Sequence, residues 1–380
     1  MSEKKINLVI DASNIKVGGG VQVALSFIDY LLHNSDSFNI SYIVSSSVYE
    51  QIKNKEIIDK YWVINTGIYT LNPLSKSRRE IRNILSKEKD SIVFTIFGPN
   101  FWGKHEHHVV GFANAWVVSP DTIAYKKFGF FKRLLVRLKN IILGCLLYDY
   151  KRHYITETSD VRERFITKFK ANPKKITVIP NALPYMYSSD LVMETTSQMT
   201  SYSGYFKFLT IAANYPHKNL QVIENVGRVL ENCGSKFVFF VTIPEDEYSK
   251  FSEGFKKYTH NLGVIPVEKC PEYYSSADAF FLPTLLECFT VSYLEAMFCS
   301  IPILTSDFDF SREVCKDSAI YFDPESPIDI AEKLLEVIND ESLRVDLVKK
   351  GKCQLLNHLT NEERSKRYLD VLKKIGMNNV

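Results

Sequence analysis

The stretch that decides the fold runs from Phe280 to Met297 and reads FFLPTLLECFTVSYLEAM. It opens as a short apolar run, typical of a buried parallel strand that ends near Pro283. A loop follows, and a helix is predicted to begin near Thr290. A strand, a loop and a helix in this order place a ligand beyond the carboxyl end of the strand. The stretch therefore predicts an α/β sheet with a binding site at that edge.

The residues of this stretch indicate what would bind there. The free backbone N–H groups near Phe289 and Thr290, at the start of the helix, favour an anion. Glu287 and Glu295, eight positions apart, are hydrogen-bond acceptors suited to sugar or ribose hydroxyls. Together they predict a site for a nucleotide diphosphate sugar. A structural alternative stays open, since Ser292-x-x-Glu295 fits a capping box and Glu287 fits a solvated loop carboxylate.

Length and composition indicate the number of domains and the class of protein that carry this site. A chain of 380 residues with 45% hydrophobic and 24% charged residues predicts two ordinary globular domains. The net charge of +3 indicates no particular partner, and we expect no nucleic acid. Seven cysteines without a C-x-x-C pair favour reduced thiols in a cytoplasmic protein over disulfides or a zinc site. No signal peptide and no spanning helix are visible in the sequence.

Along the chain, apolar runs alternate with helical patterns in both halves, which predicts two Rossmann-like parallel-sheet α/β domains facing a central cleft. We predict a first domain at 1–183, a linker rich in Ser, Thr and Tyr at 184–205, and a second domain at 206–360. A last helix at 361–380 could pack back on the first domain. The predicted strands are 6–10, 40–44, 62–65, 92–97, 109–112, 154–156, 177–179, 208–212, 237–243, 262–265, 279–282, 302–305 and 320–322. The predicted helices include 21–33, 75–88, a long one within 125–150, 327–338, 342–356 and 362–375.

The deciding stretch also carries a resemblance. Its pattern Pro-x-x-x-Glu-x-Phe-x-x-x-x-Leu-Glu-Ala-Met resembles the E-x7-E signature of retaining, nucleotide-sugar-dependent glycosyltransferases of family four. The resemblance extends over nearly the whole chain, densely in 206–324, and implies the GT-B fold of two Rossmann-like domains. It implies transfer of a sugar from a nucleotide diphosphate sugar to a hydroxyl, with retention and with no metal or other cofactor. Glu287 would hold sugar hydroxyls and Glu295 the ribose.

A second stretch, Phe208–Leu220, reads FLTIAANYPHKNL and resembles the family segment in which an Arg and a Lys clamp the donor diphosphate. Lys218 matches that Lys, Asn219 follows it, and Ala213 stands where the Arg is expected. Taken alone, a lone Lys after a strand is normally just solvated. The resemblance leaves the diphosphate to Lys218, the helix amides and His217 as a helper.

In the first half, the loop Asp11–Gln22 contains three successive glycines. They allow close approach of a ligand to the backbone, although a flexible turn is an equal alternative. The spacing does not fit a dinucleotide site. In family members a glycine-rich loop here lies against donor and acceptor, so Gly19 and Gly20 are expected cleft residues. A family His is replaced by Ala113 or Asn114, and Asn114 is taken as the cleft residue.

Residues 126–152 are rich in Lys and Arg, interleaved with Phe, Leu and Ile, and Asp149 is their only acid. One interpretation is a core helix with a solvated basic face. The other is an interfacial helix attracted to anionic lipid, a surface that related enzymes acting on lipid-linked oligosaccharides often use. The second interpretation would place the protein on the inner face of the cytoplasmic membrane.

Asp307-Phe308-Asp309 is a D-x-D, a metal motif in other glycosyltransferases. Here we interpret it as a turn and capping cluster that leads into a helix, and we predict no metal site.

The resemblance implies a glycosyltransferase acting on a glycan or a lipid-linked oligosaccharide in bacterial surface polysaccharide assembly, of O-antigen or capsule. The alternative is a non-catalytic relative that serves as a scaffold at the membrane, because the Arg and the His are missing. A donor-hydrolysis assay would separate them. The base, the sugar, the acceptor, the linkage and the oligomeric state stay open at this stage.

Overall fold

The computed structural model describes residues 5–53, 60–88, 90–188, 191 and 194–377. By contacts the chain divides into two compact units. The first comprises residues 1–119, 136–185 and 359–380, and the second comprises 120–135 and 186–358. Residues 189, 190, 192 and 193 of the predicted linker, and 378–380 of the predicted last segment, lie outside the described residues.

Each unit is built on one parallel sheet. In the first, the strands are β1 (Ile6–Ala12), β2 (Phe38–Val44), β3 (Tyr61–Val63), β4 (Ile92–Thr95), β5 (His108–Phe112), β6 (His153–Thr156) and β7 (Ile176–Val178). They lie in the order β3-β2-β1-β4-β5-β6-β7. In the second, the strands are β8 (Phe206–Thr210), β9 (Phe237–Val241), β10 (Thr259–Asn261), β11 (Ala279–Leu282), β12 (Ile303–Ser306) and β13 (Ala319–Phe322), in the order β10-β9-β8-β11-β12-β13. Both orders change direction beside the first strand of the unit, where ligands bind in such sheets.

Helices connect these strands. In chain order they are α1 (Gly19–His33), α2 (Ser46–Ile52), α3 (Lys76–Lys87), α4 (Ala115–Val118), α5 (Phe130–Leu147), α6 (Ser159–Phe169), α7 (Ser197–Thr200), α8 (Val222–Asn232), α9 (Glu245–Tyr248), α10 (Glu253–Tyr258), α11 (Cys270–Ser276), α12 (Val291–Phe298), α13 (Asp309–Cys315), α14 (Pro327–Asn339), α15 (Glu341–Leu355) and α16 (Asn361–Met377). Single 3₁₀ turns at Ile68–Leu71, Ile123–Lys127, Pro173–Lys175, Pro216–Lys218 and Val267–Lys269 complete the connections.

Each sheet has its own core. In the first unit, Phe27 of α1, Phe94 of β4 and Tyr368 of α16 form a cluster of edge-on aromatic rings. In the second, Phe208, Phe239 and Phe281 of three neighbouring strands pack together and are fully buried. The prediction of two Rossmann-like parallel-sheet α/β domains is confirmed. The last helix packs on the first unit through α1 and β4.

The strand predictions hold within a few residues, with one exception. The predicted strand 262–265 is wrong, because the strand is Thr259–Asn261. Asn261 accepts hydrogen bonds from the N–H of Ile243 and Gly263, and Gly263 has a φ of 70°. The chain therefore turns where the apolar run suggested a strand. Val264, inside that run, is 74% exposed.

The units also differ from the predicted domain ranges at residues 120–135, which group with the second unit. The 3₁₀ turn Ile123–Lys127 packs against the turn Pro216–Lys218, and Lys126 forms an ion pair with Glu325 at 2.8 Å. These contacts join residues far apart in sequence, so no local pattern could indicate them. The division between the units falls within α5, after Leu135.

Candidate functional site

The carboxyl edge of the second sheet brings the two predicted stretches together. β8 and β11 are neighbouring parallel strands, so the loops that follow Thr210 and Leu282 leave the same edge. The N–H of Leu285 donates to the carbonyl of His217 at 2.7 Å, and the hydroxyl oxygen of Thr284 lies 3.3 Å from the same carbonyl oxygen. The backbone hydrogen bond therefore ties the two loops to each other.

Lys218 and Glu287 meet at this junction. Lys218 Nζ lies 2.5 Å from Glu287 Oε1, and the two side chains are 16% and 13% exposed. The hydroxyl of Thr284 donates to the same Oε1 at 2.7 Å. A carboxylate accepts about four hydrogen bonds, so Glu287 keeps capacity for a ligand hydroxyl. The predicted cation and the predicted hydroxyl acceptor form a partly buried ion pair.

His217 lies beside this pair as a neutral ring. Burial lowers the pKa of His217 to about 4; the charge of Glu287 raises it and that of Lys218 lowers it further. Its ring stacks on Tyr215 with centroids 5.7 Å apart. At neutral pH His217 can help a ligand through hydrogen bonding, since it carries no charge.

Asn219 fixes the position of this loop. It is 3% exposed and has a φ of 57°, in the left-handed region. Its Nδ2 donates to the carbonyl of Pro324 at 3.1 Å. The turn that carries Lys218 is thereby attached to the segment after β13.

The predicted anion site lies at the start of α12. Thr290 is the N-cap residue, but its side chain makes no capping hydrogen bond. Its Oγ1 is buried and has no hydrogen-bond partner in the part of the chain that the structure describes. Phe289, half-buried beside it, packs edge-on against His358. The first N–H groups of α12 and this hydroxyl are donors for an anion.

Glu295 lies one helical turn further on and is 8% exposed. It accepts a hydrogen bond from Tyr274 at 2.8 Å. Burial raises the pKa of Glu295 to about 7, while hydrogen bonds from the hydroxyls of Tyr274, Tyr187 and Ser292 act in the opposite direction. The capping-box alternative is wrong, because α12 begins at Val291 and Ser292 is already within it. The ribose role of Glu295 stays a prediction.

The predicted residues of the first unit lie at the carboxyl edge of their own sheet. Gly18, with a φ of 71°, precedes α1, which begins at Gly19. A Cβ at Gly19 would meet nothing within 4 Å, and one at Gly20 would meet Ile15 at 3.5 Å. The backbone of this loop is therefore open to a ligand. Asn114 is the N-cap residue of α4 but makes no capping bond, and its Oδ1 is buried without a partner among the described residues.

Sequence reasoning missed a buried network behind the glycine loop. Asp11, 1% exposed, accepts hydrogen bonds from the hydroxyl of Ser13 at 2.7 Å, from Trp102 Nε1 at 2.7 Å and from Thr95 at 3.0 Å. Thr95 also bonds His108 Nε2 at 2.8 Å. The network holds the end of β1, from which the glycine loop starts. An Asp at the end of an apolar strand was the only local sign of it.

The D-x-D leads into a helix as interpreted. Asp307 pairs with Arg312 through both carboxylate oxygens, and α13 begins at Asp309. Among the described residues, no group of three or more His, Cys, Asp or Glu side chains could hold a metal ion. Ala213, at the expected Arg position, is exposed.

The basic segment forms α5, and most of the apolar side chains of this helix lie outside the core. In this helix Asn140, Gly144 and Leu147 are buried. The exposed apolar residues are Phe130, Phe131, Leu134, Leu135, Leu138, Ile141 and Ile142, each 48% to 80% exposed. The core-helix interpretation is therefore wrong for these residues. Within the described ranges, the helices are too short or too polar to cross a membrane.

Sequence comparison finds similarity to glycosyltransferases in the second unit. Residues 196–354 match the profile of the family "Glycosyl transferases group 1". The chain is 32% identical over 102 residues to O-antigen chain mannosyltransferase B of Escherichia coli, covering 27% of this chain and 26% of that protein. It is 22% identical over 180 residues to O-antigen chain mannosyltransferase RfbU of Salmonella typhimurium, covering 46% and 47%. The matches therefore span about a quarter to a half of these relatives.

Solved structures share the fold over nearly the full length. A glycosyltransferase from Rickettsia africae superposes with a TM-score of 0.70 at 12% identity, covering 98% of both chains. WaaG, a glycosyltransferase involved in lipopolysaccharide biosynthesis, gives 0.70 at 12% identity, covering 97% of this chain and 99% of its own. Anabaena HepE, in complex with UDP-glucose, gives 0.71 at 13% identity, covering 97% and 100%. The GT-B fold and the resemblance to group 1 glycosyltransferases are confirmed.

Proposed function

We propose that this chain, which carries a group 1 glycosyltransferase domain at residues 196–354, transfers a sugar from a nucleotide diphosphate sugar to a hydroxyl of a glycan or lipid-linked oligosaccharide. The observation that carries the proposal is the Lys218–Glu287 pair at the carboxyl edge of the second sheet. It places a cation and a hydroxyl acceptor next to each other, beside the N-terminus of α12. A nucleotide diphosphate sugar carries its charged diphosphate next to a sugar with many hydroxyls. A site for it therefore needs a cation and a hydrogen-bond acceptor side by side.

In the proposed reaction the bond between the sugar and the diphosphate breaks, the acceptor oxygen bonds to the sugar carbon, and the proton of the acceptor hydroxyl passes to the leaving diphosphate. Negative charge grows on the leaving diphosphate. Lys218, the first amides of α12 and the buried hydroxyl of Thr290 would stabilise that charge, which is where most of the catalysis is expected. Glu287 would hold the sugar hydroxyls and also keep Lys218 in place. We propose that the configuration at the sugar carbon is retained, because the family that this sequence resembles consists of retaining enzymes.

We propose that the reaction needs no metal ion or other cofactor, with the nucleotide sugar as the co-substrate. Lys218 and the helix N-terminus supply the positive charge that a divalent cation would otherwise provide.

The biological context follows from the relatives. Two of them are named O-antigen mannosyltransferases, and WaaG is named for lipopolysaccharide biosynthesis. We therefore propose a role in lipopolysaccharide or O-antigen assembly. The exposed apolar and basic side chains of α5 support attachment to an anionic membrane surface, where a lipid-linked acceptor would be present.

A donor-hydrolysis assay over a panel of nucleotide diphosphate sugars tests the proposal. We expect slow hydrolysis of one donor and faster consumption of the same donor when an acceptor is present. Both reactions should be lost in Lys218→Met. Tight donor binding without turnover on any acceptor would favour the non-catalytic scaffold instead.

A further inference from the structure

The first unit contains a cavity of about 510 Å³ away from its glycine loop. It is lined by the second half of α1, from Leu25 to Asn34, by Gln51 of α2, by Tyr185 and by the first residues of α16. α1 begins at Gly19, so at about 1.5 Å per residue this lining starts some 9 Å along the helix and ends some 22 Å along it. The cavity is therefore distinct from the carboxyl edge of the sheet.

One buried guanidinium holds the walls of this cavity in place. Arg364 of α16 is 1% exposed and donates to Ser26 of α1, to Asn181 and, at 2.8 Å, to Asn361. Asn361 in turn donates to the carbonyl of Leu183. Two helices and the segment before Tyr185 are thus bonded to each other, so the cavity is formed before any ligand arrives.

The lining chemistry selects the kind of ligand. Among the residues that the structure describes, the wall contains the carboxylates of Asp29 and Glu362, the phenols of Tyr30 and Tyr185 and the imidazole of His33, and it contains no Lys or Arg. Burial, followed by the charges of Glu362 and Asp370, raises the pKa of Tyr30. Tyr30 therefore stays protonated near an acidic neighbour. The formal charge of the wall disfavours phosphates and nucleotides.

A hydroxyl-rich, uncharged ligand fits this lining. Carboxylates accept hydrogen bonds from sugar hydroxyls, phenols donate or accept, and aromatic faces cover the apolar side of a sugar ring. The volume is within the range of small-ligand sites. A metal ion is less suitable, because the described residues contain no group of three or more His, Cys, Asp or Glu side chains that could hold one.

We infer that this cavity is a second carbohydrate site, which holds a neutral segment of the glycan that the enzyme extends. The inference rests on the proposed function, since it assumes a glycan acceptor. Binding here would retain a long acceptor between transfers, while a short acceptor would reach only the carboxyl edge.

The test uses the full-length protein and a neutral manno-oligosaccharide of four residues as the probe, followed by titration calorimetry and saturation-transfer NMR. Tyr185, 64% exposed, is changed to Ala, and Glu362 is changed to Gln. Tyr150→Ala is the matched control, because Tyr150 is 70% exposed and does not line the cavity. We expect roughly tenfold weaker binding in Tyr185→Ala, as the loss of an aromatic contact implies, and unchanged binding in the control.

Product length gives a second measurement. Both cavity variants should form shorter products from a long acceptor while keeping the rate on a short one. Equal binding and equal product length in all variants, with normal donor hydrolysis, would refute the second site and leave the proposed function intact. Binding of spermidine or Mn²⁺ in place of the oligosaccharide would also refute it. Oligosaccharide binding that depends on Tyr185 without any donor turnover would refute the transferase instead.

Discussion

Separating Lys218 from Glu287 is the most informative perturbation of this protein. Their charges lie 2.5 Å apart and the side chains are 16% and 13% exposed, so each is largely removed from water. We consider Lys218→Met, Glu287→Gln and the double variant. The first two each leave one partner without its counter-charge, and the third removes both charges.

The expected magnitudes follow from this geometry. With an effective dielectric constant of about 20, the Coulomb attraction between the two charges is about 7 kcal/mol, most of which desolvation offsets. Leaving one partner unpaired should lower the free energy of unfolding by about 3 kcal/mol, the lower end for a buried pair, because part of each side chain is exposed. The double variant should have a free energy of unfolding only about 1 kcal/mol lower than that of the wild type. Catalysis should not recover with it, since Lys218→Met removes a cation at the leaving group and costs about 10²–10³ in kcat.

Urea unfolding and initial rates on the same preparations measure both effects. The matched control is Lys333→Met in α14, which removes a 2.6 Å ion pair with Glu336 whose side chains are 33% and 47% exposed. An exposed pair of this kind contributes less than about 1 kcal/mol. Additive losses in the double variant would mean that the pair does not form in solution. Full activity in Lys218→Met would refute its role at the diphosphate.

Three further predictions test the site and its surroundings. Because burial raises the pKa of Glu295 from 4.5 to about 7, the contribution of this residue to stability is complete below pH 4.5 and is lost as the pH rises through about 7. The free energy of unfolding of Glu295→Gln, measured relative to the wild type by urea unfolding at several pH values, should therefore be about 3 kcal/mol higher at pH 8 than at pH 4. A difference between variant and wild type that stays constant across pH 4–8 would contradict this. Turnover should survive EDTA, and rescue of a lost activity by Mn²⁺ would show that a metal is needed. Changing Lys132, Arg133 and Arg137 to Glu should release the protein from anionic vesicles in a flotation assay, and wild-type binding should weaken with salt; equal binding of the triple variant would refute a lipid-binding α5.

Some features follow from local pattern alone. β11 is Ala279–Leu282, as predicted, because an uninterrupted apolar run bounded by a proline suits a strand covered on both faces. α14 begins at Pro327, as predicted, since Ser326 caps it and the proline occupies its first turn. The repeated alternation of such segments is enough to predict two parallel sheets. The strand at 259–261 was misplaced because a turn at Gly263 depends on side-chain bonds that the apolar pattern does not contain.

The sequence by itself determined the succession of strands and helices along the chain and the residue types at the proposed donor site, namely the two glutamates, the lysine and the start of a helix. Only the tertiary structure decided their environments. Lys218 and Glu287 pair because β8 and β11 are neighbours in the sheet, although 69 positions separate the two residues in the chain. Glu295 is buried because Tyr274 and Tyr187 cover it. The helix α5 is largely exposed because few of its side chains pack into a core. Local patterns set backbone conformation through short-range sterics and periodicity, whereas burial and pairing depend on which distant segments the folded sheet brings side by side.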